Sequence, residues 1–566
     1  MSAVIGRYGA QAVLPLNYAG PHGMLAGDSM SLRFFHRLGA SMLDRGPLCG
    51  GIRSAAYAAT FGSTPGTPLQ QVALSQLIIV WGNNASACNL HLMRQINAAK
   101  RHGARLVVID PRRTQVAEQA HLHLPVRPGT DVVLAWSIAT ELERIAGLDP
   151  GFIGRHVLGF DAFMQAARAW PPERAAQICG VALEDIRTLS RWYKESSPAV
   201  IAWGNGLERN RNGGSGLRAI AALPALAGKL GVAGGGLVGG NGHAFPKTLD
   251  RLTRPDLAPP GTRTINILDV SALILDERLT PPIKAVFIYN HNPLIVHPDQ
   301  NRMRRALSRE DLFTVGIEVA MTDSMAFADV VLPACTHFEH ADLYAAYGQQ
   351  YLQRAEAVIP PVGASLPNTE IFRRLAARFG FTDPLFTASD AELMDAAMNA
   401  DDPRLSGRRP SQLPTDRALK MEYGGAEPIM CGTVWPRTPS GKIELISETL
   451  RPRGAALPGY RPLSSSFPLT LITPASDKRI TSTFGGLPQS DATPALEMHP
   501  EDAVVRGLVD GERVRVWNDQ GEVFLPLRIS EAVRTGVVCS EKGAWLRTTE
   551  NGQTVSALAP THKADL

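Results

Sequence analysis

The chain has 566 residues, 44% apolar and 19% charged, a composition that supplies several buried cores. A net charge of +4 over that length, with no basic run interleaved with aromatics, excludes neither solubility nor catalysis but argues against a nucleic-acid partner or an acidic membrane surface. No stretch approaches the roughly 20 apolar residues that a membrane-spanning helix needs, and the N-terminus does not read as a secretory signal. The six cysteines, Cys49, Cys88, Cys179, Cys335, Cys431 and Cys539, include no C-x-x-C pair, so a reduced, cytoplasmic protein is expected.

In chain order, Leu14–Tyr18 reads as a strand followed by the glycine-punctuated loop Gly20–Ser29. Arg45–Gly62 (RGPLCGGIRSAAYAATFG) bends around Cys49 and then turns helical over Ile52–Phe61. A cysteine at such a turn sits where helix N–H dipoles favour a thiolate, as a nucleophile or metal ligand; a buried structural cysteine fits the same pattern. Leu77–Val80 and Leu106–Ile109 are unbroken apolar runs, the mark of parallel strands buried on both faces. Between them Asn89–Arg101 carries Leu90, Met93 and Ile96 at helical spacing, giving a β-α-β unit.

Each of these strands ends in polar turn chemistry, Trp81-Gly82-Asn83-Asn84 and Asp110-Pro111-Arg112-Arg113. Ligands of open α/β sheets bind at such strand ends, and Arg112 or Arg113 can grip a phosphate. The G-x-G-x-x-G fingerprint is absent. A helix is expected over Thr130–Ala146, capped near Thr130 or Asp131. Gly154–Ser196 reads as mostly helical. Ala199–Trp203 is another buried strand, and its end, Gly204-Asn205-Gly206, repeats the chemistry of Gly82-Asn83. Asn212–Leu230 reads as a helix and Gly231–Gly242 as a glycine-dense loop.

Arg251–Gly261 is polar and proline-rich, a crossing between domains. Ile283–Tyr289, Leu312–Val319 and Ala328–Pro333 read as further strands, the first ending in Asn290-His291-Asn292-Pro293. His337, Glu339, His340 and Asp342 fall within six residues, a spacing that suits a metal site or, more simply, a solvated loop. Thr438–Leu445 reads as a turn into a short strand, and Arg451–Ser466 as a linker. Leu469–Thr473, Arg513–Trp517, Glu522–Ile529 and Gly536–Cys539 are short strands between turns and predict a β-barrel.

The ordered set VWGNN, VVIDPRRT, LPVRPGTD, WGNG, YNHNPL, TDSMAFADVVLPA and TPSGKIEL, with the closing barrel, resembles the molybdopterin-guanine-dinucleotide oxidoreductases of the dimethyl sulfoxide reductase superfamily, over nearly the whole chain. The resemblance implies an α/β fold: two Rossmann-like α/β domains and a C-terminal β-barrel of double-psi type. The first α/β domain would span 1–60 and 266–450, the second 61–265, a linker 451–466 and the barrel 467–566. It implies a bis(molybdopterin guanine dinucleotide) cofactor with one molybdenum or tungsten and a small-molecule substrate. Because LCGGIRSAAYAATFG resembles the ligand segment of the cysteine-type enzymes, Cys49 is expected to bind the metal, a soft thiolate in a sulfur-rich site.

By the same resemblance Gly82, Asn83, Asn84, Asp110, Pro111, Arg112, Gly129 and Asp131 would bind one dinucleotide. Gly204, Gly206, Asn292, Pro293 and Asp323 would hold pterins or guanines, and Thr473, Asn518 and Lys542 would contribute from the barrel. Arg53 and His243 are expected in the substrate funnel.

The pattern is broken at one place. The C-x-x-C-x-x-x-C segment that holds an iron–sulfur cluster in most relatives of this branch does not occur, so no Fe–S cluster is expected in this chain. Electrons would then pass through a partner, an Fe–S or other redox subunit, which would also cover apolar surface on the first α/β domain. Two alternatives stand beside this reading. One is a catalytically silent scaffold, or truncated fragment, of the same fold. The other is a nucleotide-binding enzyme with Cys49 as covalent nucleophile and His22 or His36 as base.

Overall fold

The computed structural model describes residues 1–345 and 347–566. Its centre is a five-stranded parallel sheet in the spatial order Leu122–Leu124, Arg105–Ile109, Leu77–Trp81, Ala199–Trp203, Gly236–Val238. Leu77–Trp81 and Ala199–Trp203 are buried along their whole length, as their apolar, β-branched sequences require of strands covered on both faces. The helix Leu90–Arg101 packs one face of the sheet through Leu92, Met93 and Ile96, and Asn89 caps it by accepting from the Leu92 N–H at 3.2 Å. The other face is covered by Asp131–Arg144 and by Gly213–Leu226.

Gly213–Leu226 is buried throughout, which its glycine, alanine and leucine content allows. Its one charge, Arg218, is 3% exposed and donates to the carbonyls of Ala455 (2.5 Å), Ala456 (2.7 Å) and Leu445 (3.3 Å). Asn212 accepts from the Arg461 N–H at 3.0 Å and donates to the Arg461 carbonyl at 2.8 Å. The segment that reads as a linker is therefore pinned along the helices of the five-stranded sheet by buried donors. The glycine-dense loop likewise differs from its expected form, since Gly236–Val238 pairs as the edge strand beside Ala199–Trp203.

The other parallel sheet, which starts nearer the N-terminus and is the first of the two (the five-stranded sheet being the second), takes the strands Val13–Asn17, Ala285–Tyr289, Phe313–Glu318 and Val330–Pro333 in that spatial order. Its core joins Phe34, Phe35, Phe287, Tyr289 and Phe372. The last hundred residues hold one mixed sheet, ordered Thr470–Ile472, Val537–Cys539, Leu496–Met498, Gly521–Ile529, Arg513–Asn518. The strand Leu496–Met498 sits at its middle and was not anticipated. Among the described residues no helix is long and apolar enough to cross a membrane.

The C-terminal sheet docks on both parallel sheets. Toward the first, Gln300 donates to Thr554 Oγ1 at 3.2 Å and accepts from the Thr554 N–H at 2.9 Å, and Asn301 donates to the Gln520 carbonyl at 3.0 Å. Toward the second, Arg112 pairs with Glu497, and the Arg534 guanidinium donates to the carbonyls of Pro125 and Cys179 at 2.5 and 3.2 Å.

Candidate active site at the ends of two parallel sheets

The order of the central sheet reverses between Leu77–Trp81, whose next strand lies on one side, and Ala199–Trp203 on the other. Such a switch point opens a crevice beyond the strand ends. The two strands run in register, Trp81 opposite Trp203, and their end loops lock together. The Gly204 N–H donates to the Trp81 carbonyl at 2.9 Å and the Gly206 N–H to the Gly82 carbonyl at 3.1 Å. Gly82 has φ +58°, and a Cβ on Gly204 would collide with the Gly82 carbonyl oxygen and stand 2.6 Å from Asn83 Cβ. Only glycine lets the loops approach this closely. Beneath them the Trp81 indole N–H donates to Asp131 Oδ1 at 2.8 Å, fixing the start of the helix Asp131–Arg144.

These loops form one wall of a cavity of about 3520 Å³. Pockets for drug-sized ligands run about 300–1,000 Å³, so an extended ligand, or more than one, is accommodated. The C-terminal ends of the first sheet's strands supply a second wall and the C-terminal sheet a third. Of the residues expected from sequence, Cys49, Gly82, Asn83, Asn84, Asp110, Pro111, Gly129, Asp131, Gly204, Gly206, Asn292, Thr473, Asn518 and Lys542 all line it, as do Arg53, His243 and His22.

Three expected residues stand elsewhere. Arg112 gives its guanidinium to Glu497 (2.6 and 2.7 Å), an ion pair between sheets that takes it off the cavity wall. Pro293 begins the short helix Pro293–Val296 behind Asn292. Asp323 accepts from the Leu546 N–H at 3.1 Å and ties the first sheet to the C-terminal one. His36 is also away from the cavity, its Nδ1 2.9 Å from the Thr253 carbonyl.

Cys49 lies between the turn Gly46–Leu48 and the helix Gly51–Phe61. Asn205 Nδ2 is 4.0 Å from its sulfur, and the Tyr18 phenol lies near enough to feel its charge. Burial pushes the Tyr18 phenol far above its ordinary range and the Cys49 sulfur adds to the effect, so Tyr18 stays a protonated donor. Lys542 is pushed down to about 8, by burial first and then by Arg209, while Cys49 and Cys88 oppose the shift. Glu208 is 2% exposed, and its Oε2 accepts from the Arg53 N–H at 3.0 Å while the Arg53 guanidinium stands 3.7 Å from Oε1. Burial raises the Glu208 carboxyl against the pull of Arg53.

Tyr18, Asn205 and Glu208 were not singled out from sequence. Tyr18 ends the predicted strand Leu14–Tyr18 and Asn205 follows Ala199–Trp203, so the strand-end rule reaches them; nothing local marks Glu208.

In the loop at 337–342 His337 and His340 line the cavity, while the two carboxylates serve the fold. Glu339 accepts from the Thr336 N–H (2.7 Å), the Thr336 hydroxyl (2.6 Å) and the Val362 N–H (2.6 Å). Asp342 accepts from the N–H groups of Leu25 and Ala26 at 2.8 and 3.1 Å. Among the described residues no three His, Cys, Asp or Glu side chains stand together as a metal site.

The fold and crevice define a protein that lays an extended ligand across two parallel sheets under a C-terminal sheet. Comparison with known proteins says which. Residues 22–378 match the family described as molybdopterin oxidoreductase, and 469–565 the molydopterin dinucleotide binding domain. The chain is 36% identical to probable oxidoreductase YoaE of Bacillus subtilis (strain 168), covering 100% of this chain and 83% of that protein. It is 28% identical to dimethyl sulfoxide reductase DmsA of Escherichia coli (strain K12), over 86% of this chain and 68% of the relative. Acetylene hydratase from Pelobacter acetylenicus shares the fold, with a TM-score of 0.83 and 22% identity over 99% of this chain and 83% of that one. The chain belongs to the molybdopterin oxidoreductase family, in the dimethyl sulfoxide reductase superfamily, and is an oxidoreductase of that family.

The residues present fit the family's molybdenum bis-pterin cofactor. Asn84 Oδ1, Asn292 Nδ2 and Thr322 Oγ1 are buried without a partner among the described residues, and all three residues line the cavity. Such atoms call for a polar partner, which a ligand bound in the cavity would supply. The glycine loops offer backbone at close approach, Lys542 offers a cation and Cys49 a thiol.

Proposed function

We propose that this chain is the catalytic subunit of a molybdenum or tungsten oxidoreductase that holds two molybdopterin guanine dinucleotides in the cavity and binds the metal through Cys49. The observation that carries the reading is the position of Cys49, on the cavity wall, approached by Asn205 from one parallel sheet and Tyr18 from the other. The loops Gly82–Asn84 and Gly204–Gly206, with Asp110, Pro111, Gly129 and Asp131, would hold one dinucleotide. Asn292, Thr473, Asn518 and Lys542 would hold the other. When bound, the cofactor supplies a redox-active metal with an open position for oxygen-atom or hydride transfer to or from a small substrate.

The chain's own residues prepare that position. Tyr18, kept protonated by burial, would donate to the Cys49 sulfur, fixing its direction and offsetting its charge. Glu208 ties down the first turn of the helix after Cys49 through the Arg53 N–H. The interlocked glycine loops would close the floor beneath the dinucleotide. Electrons would pass to a separate redox subunit. The six cysteines are free, in keeping with a cytoplasmic setting.

The test is Cys49→Ala, produced in a host that makes the dinucleotide. Retained pterin with lost metal is the expected result. Metal retained at the unsubstituted level would remove Cys49 from the metal site.

A further inference from the structure

Two buried histidines face each other beyond the end of the strand Ala285–Tyr289. His291 lines the cavity, and His297 closes the short helix Pro293–Val296 behind it. They are 7% and 2% exposed. Their Nε2 atoms stand 2.8 Å apart, with ring centroids at 4.9 Å and planes inclined by 57°. The turn between them is held from several sides. The Ser324 hydroxyl donates to Asn292 Oδ1 at 2.6 Å and accepts from the Leu294 N–H at 3.1 Å. Gln300 donates to the Leu294 carbonyl at 2.8 Å, and Ser556 to the Ile295 carbonyl at 2.7 Å. On its other side the His291 ring is 5.6 Å from that of Tyr18, which in turn lies beside Cys49.

Two ring nitrogens at 2.8 Å hold one proton between them, because two lone pairs repel at that distance and two protons do not fit. One ring donates, the other accepts, and the roles reverse when the proton crosses. No carboxylate answers either ring: among the described residues the one histidine–carboxylate contact is that of His340 with Asp342. The groups facing the pair are the Tyr18 phenol and the Arg45 guanidinium, which Asp28 neutralises through two hydrogen bonds of 2.8 Å. Asp299, two residues after His297, is spent on Arg302 at 2.9 Å. Burial, then His297 and Arg45, hold the His291 imidazole well below its usual range, and burial pushes His297 down to about 3. An added proton therefore stays on the pair only when negative charge stands in the cavity.

We propose that His291 and His297 act as one proton carrier for the redox reaction, His291 exchanging the proton at the cavity and His297 serving as its positioning residue. The inference rests on the reading of the cavity as a redox cofactor site and adds the route of a proton to it. Electrons that enter from the redox partner bring negative charge into the cavity and raise the affinity of the adjacent ring for a proton. One proton from water then binds the pair, and the N–H···N bond shares its charge across both rings, a bond that a charged donor strengthens. When two electrons pass to a substrate oxygen, two protons follow and water leaves. The pair gives one of these protons and solvent the other, so the pair starts and ends neutral. In the direction of oxidation it accepts one instead. The Tyr18 phenol, kept protonated by burial, cannot serve in this way.

The test has two arms. The first is magnetic resonance of the full chain carrying isotope-labelled histidine, without cofactor. A scalar coupling through the N–H···N bond of His291 and His297 is expected, and its absence would overturn the proposal. The second is a redox titration of the metal signal of the holoenzyme across neutral pH. One proton taken up with one electron makes the couple tenfold harder to reduce per pH unit, about 59 mV. That slope is expected in the unsubstituted enzyme, and no slope there would overturn the proposal whatever the fate of any variant. His297→Gln, which leaves the cavity wall intact, is expected to reduce the slope to less than half, with pterin and metal content unchanged. A full slope in the variant would overturn the proposal. So would loss of pterin or metal, because the pair would then serve only to shape the cofactor's seat. Folded protein with neither pterin nor metal would reject the cofactor reading and the carrier with it; a loaded enzyme with no slope rejects the carrier alone.

Discussion

Arg112 and Glu497 form a two-pronged ion pair, Nε to Oε2 at 2.6 Å and Nη2 to Oε1 at 2.7 Å, that joins the strand-end loop of the second parallel sheet to the middle strand of the C-terminal sheet. Glu497 is 4% exposed and is also paired with Arg528. Two charge-assisted hydrogen bonds to a buried carboxylate are worth about 2–3 kcal/mol when one partner is deleted. Arg112→Ala should lower stability by about that amount in urea unfolding. A double-mutant cycle with Glu497→Gln should return a coupling above about 1 kcal/mol. A coupling of zero would mean that the pair does not hold the two sheets together.

The contact of the two glycine loops predicts a local and severe effect of one methyl group. Gly204→Ala would place Cβ on the Gly82 carbonyl oxygen and 2.6 Å from Asn83 Cβ, so the loops must separate. Overpacking of this kind costs about 1–3 kcal/mol. Pterin content of the purified variant should fall below half that of the unsubstituted protein. Gly6→Ala, where a Cβ meets nothing within 4 Å, is the matched control and should leave content unchanged. Equal pterin in both would contradict the cradle.

The buried carboxyls at the base of the cavity give a pH signature. Burial raises Asp131 from 3.8 to about 6, opposed by the Trp81 indole N–H. Burial likewise raises Asp110 to about 6, with Arg112 opposing and Asp131 adding to the shift. Each group binds more protons folded than unfolded between those values, so its stabilising share is present below about 4 and is lost as pH rises to about 6. Asp131→Asn keeps an acceptor for Trp81 and cannot ionise. Its stability relative to the unsubstituted protein should therefore rise across that window, by about 1.4 kcal/mol per pH unit, and level off above it. A difference that stays flat from pH 4 to 6 would show Asp131 to be solvated.

Much of this architecture is legible in the sequence because it is written in local pattern. Leu77–Trp81 and Ala199–Trp203 are apolar, β-branched and closed by Gly-Asn, so both strands and the loops that become the cavity wall can be read directly. Leu496–Met498 is three residues with a glutamate in the middle, too short for a period, yet it is central because two neighbours complete it. The glycines around Gly236 hide an edge strand for the same reason. Arg112 looked like a phosphate ligand because its partner is 385 residues away, beyond any local signal. The convergence on Cys49 is likewise a long-range fact: Asn205 arrives from 156 residues on and Glu208 reaches the Arg53 N–H from 155.

The central claim is that the cavity holds a bis-pterin metal centre, and one measurement bears on it most directly: the molar ratio of pterin and of molybdenum or tungsten to chain in protein purified from a host that makes the dinucleotide. Two pterins and one metal per chain are expected. Folded protein with neither pterin nor metal would contradict the account and leave a scaffold of the same fold in its place.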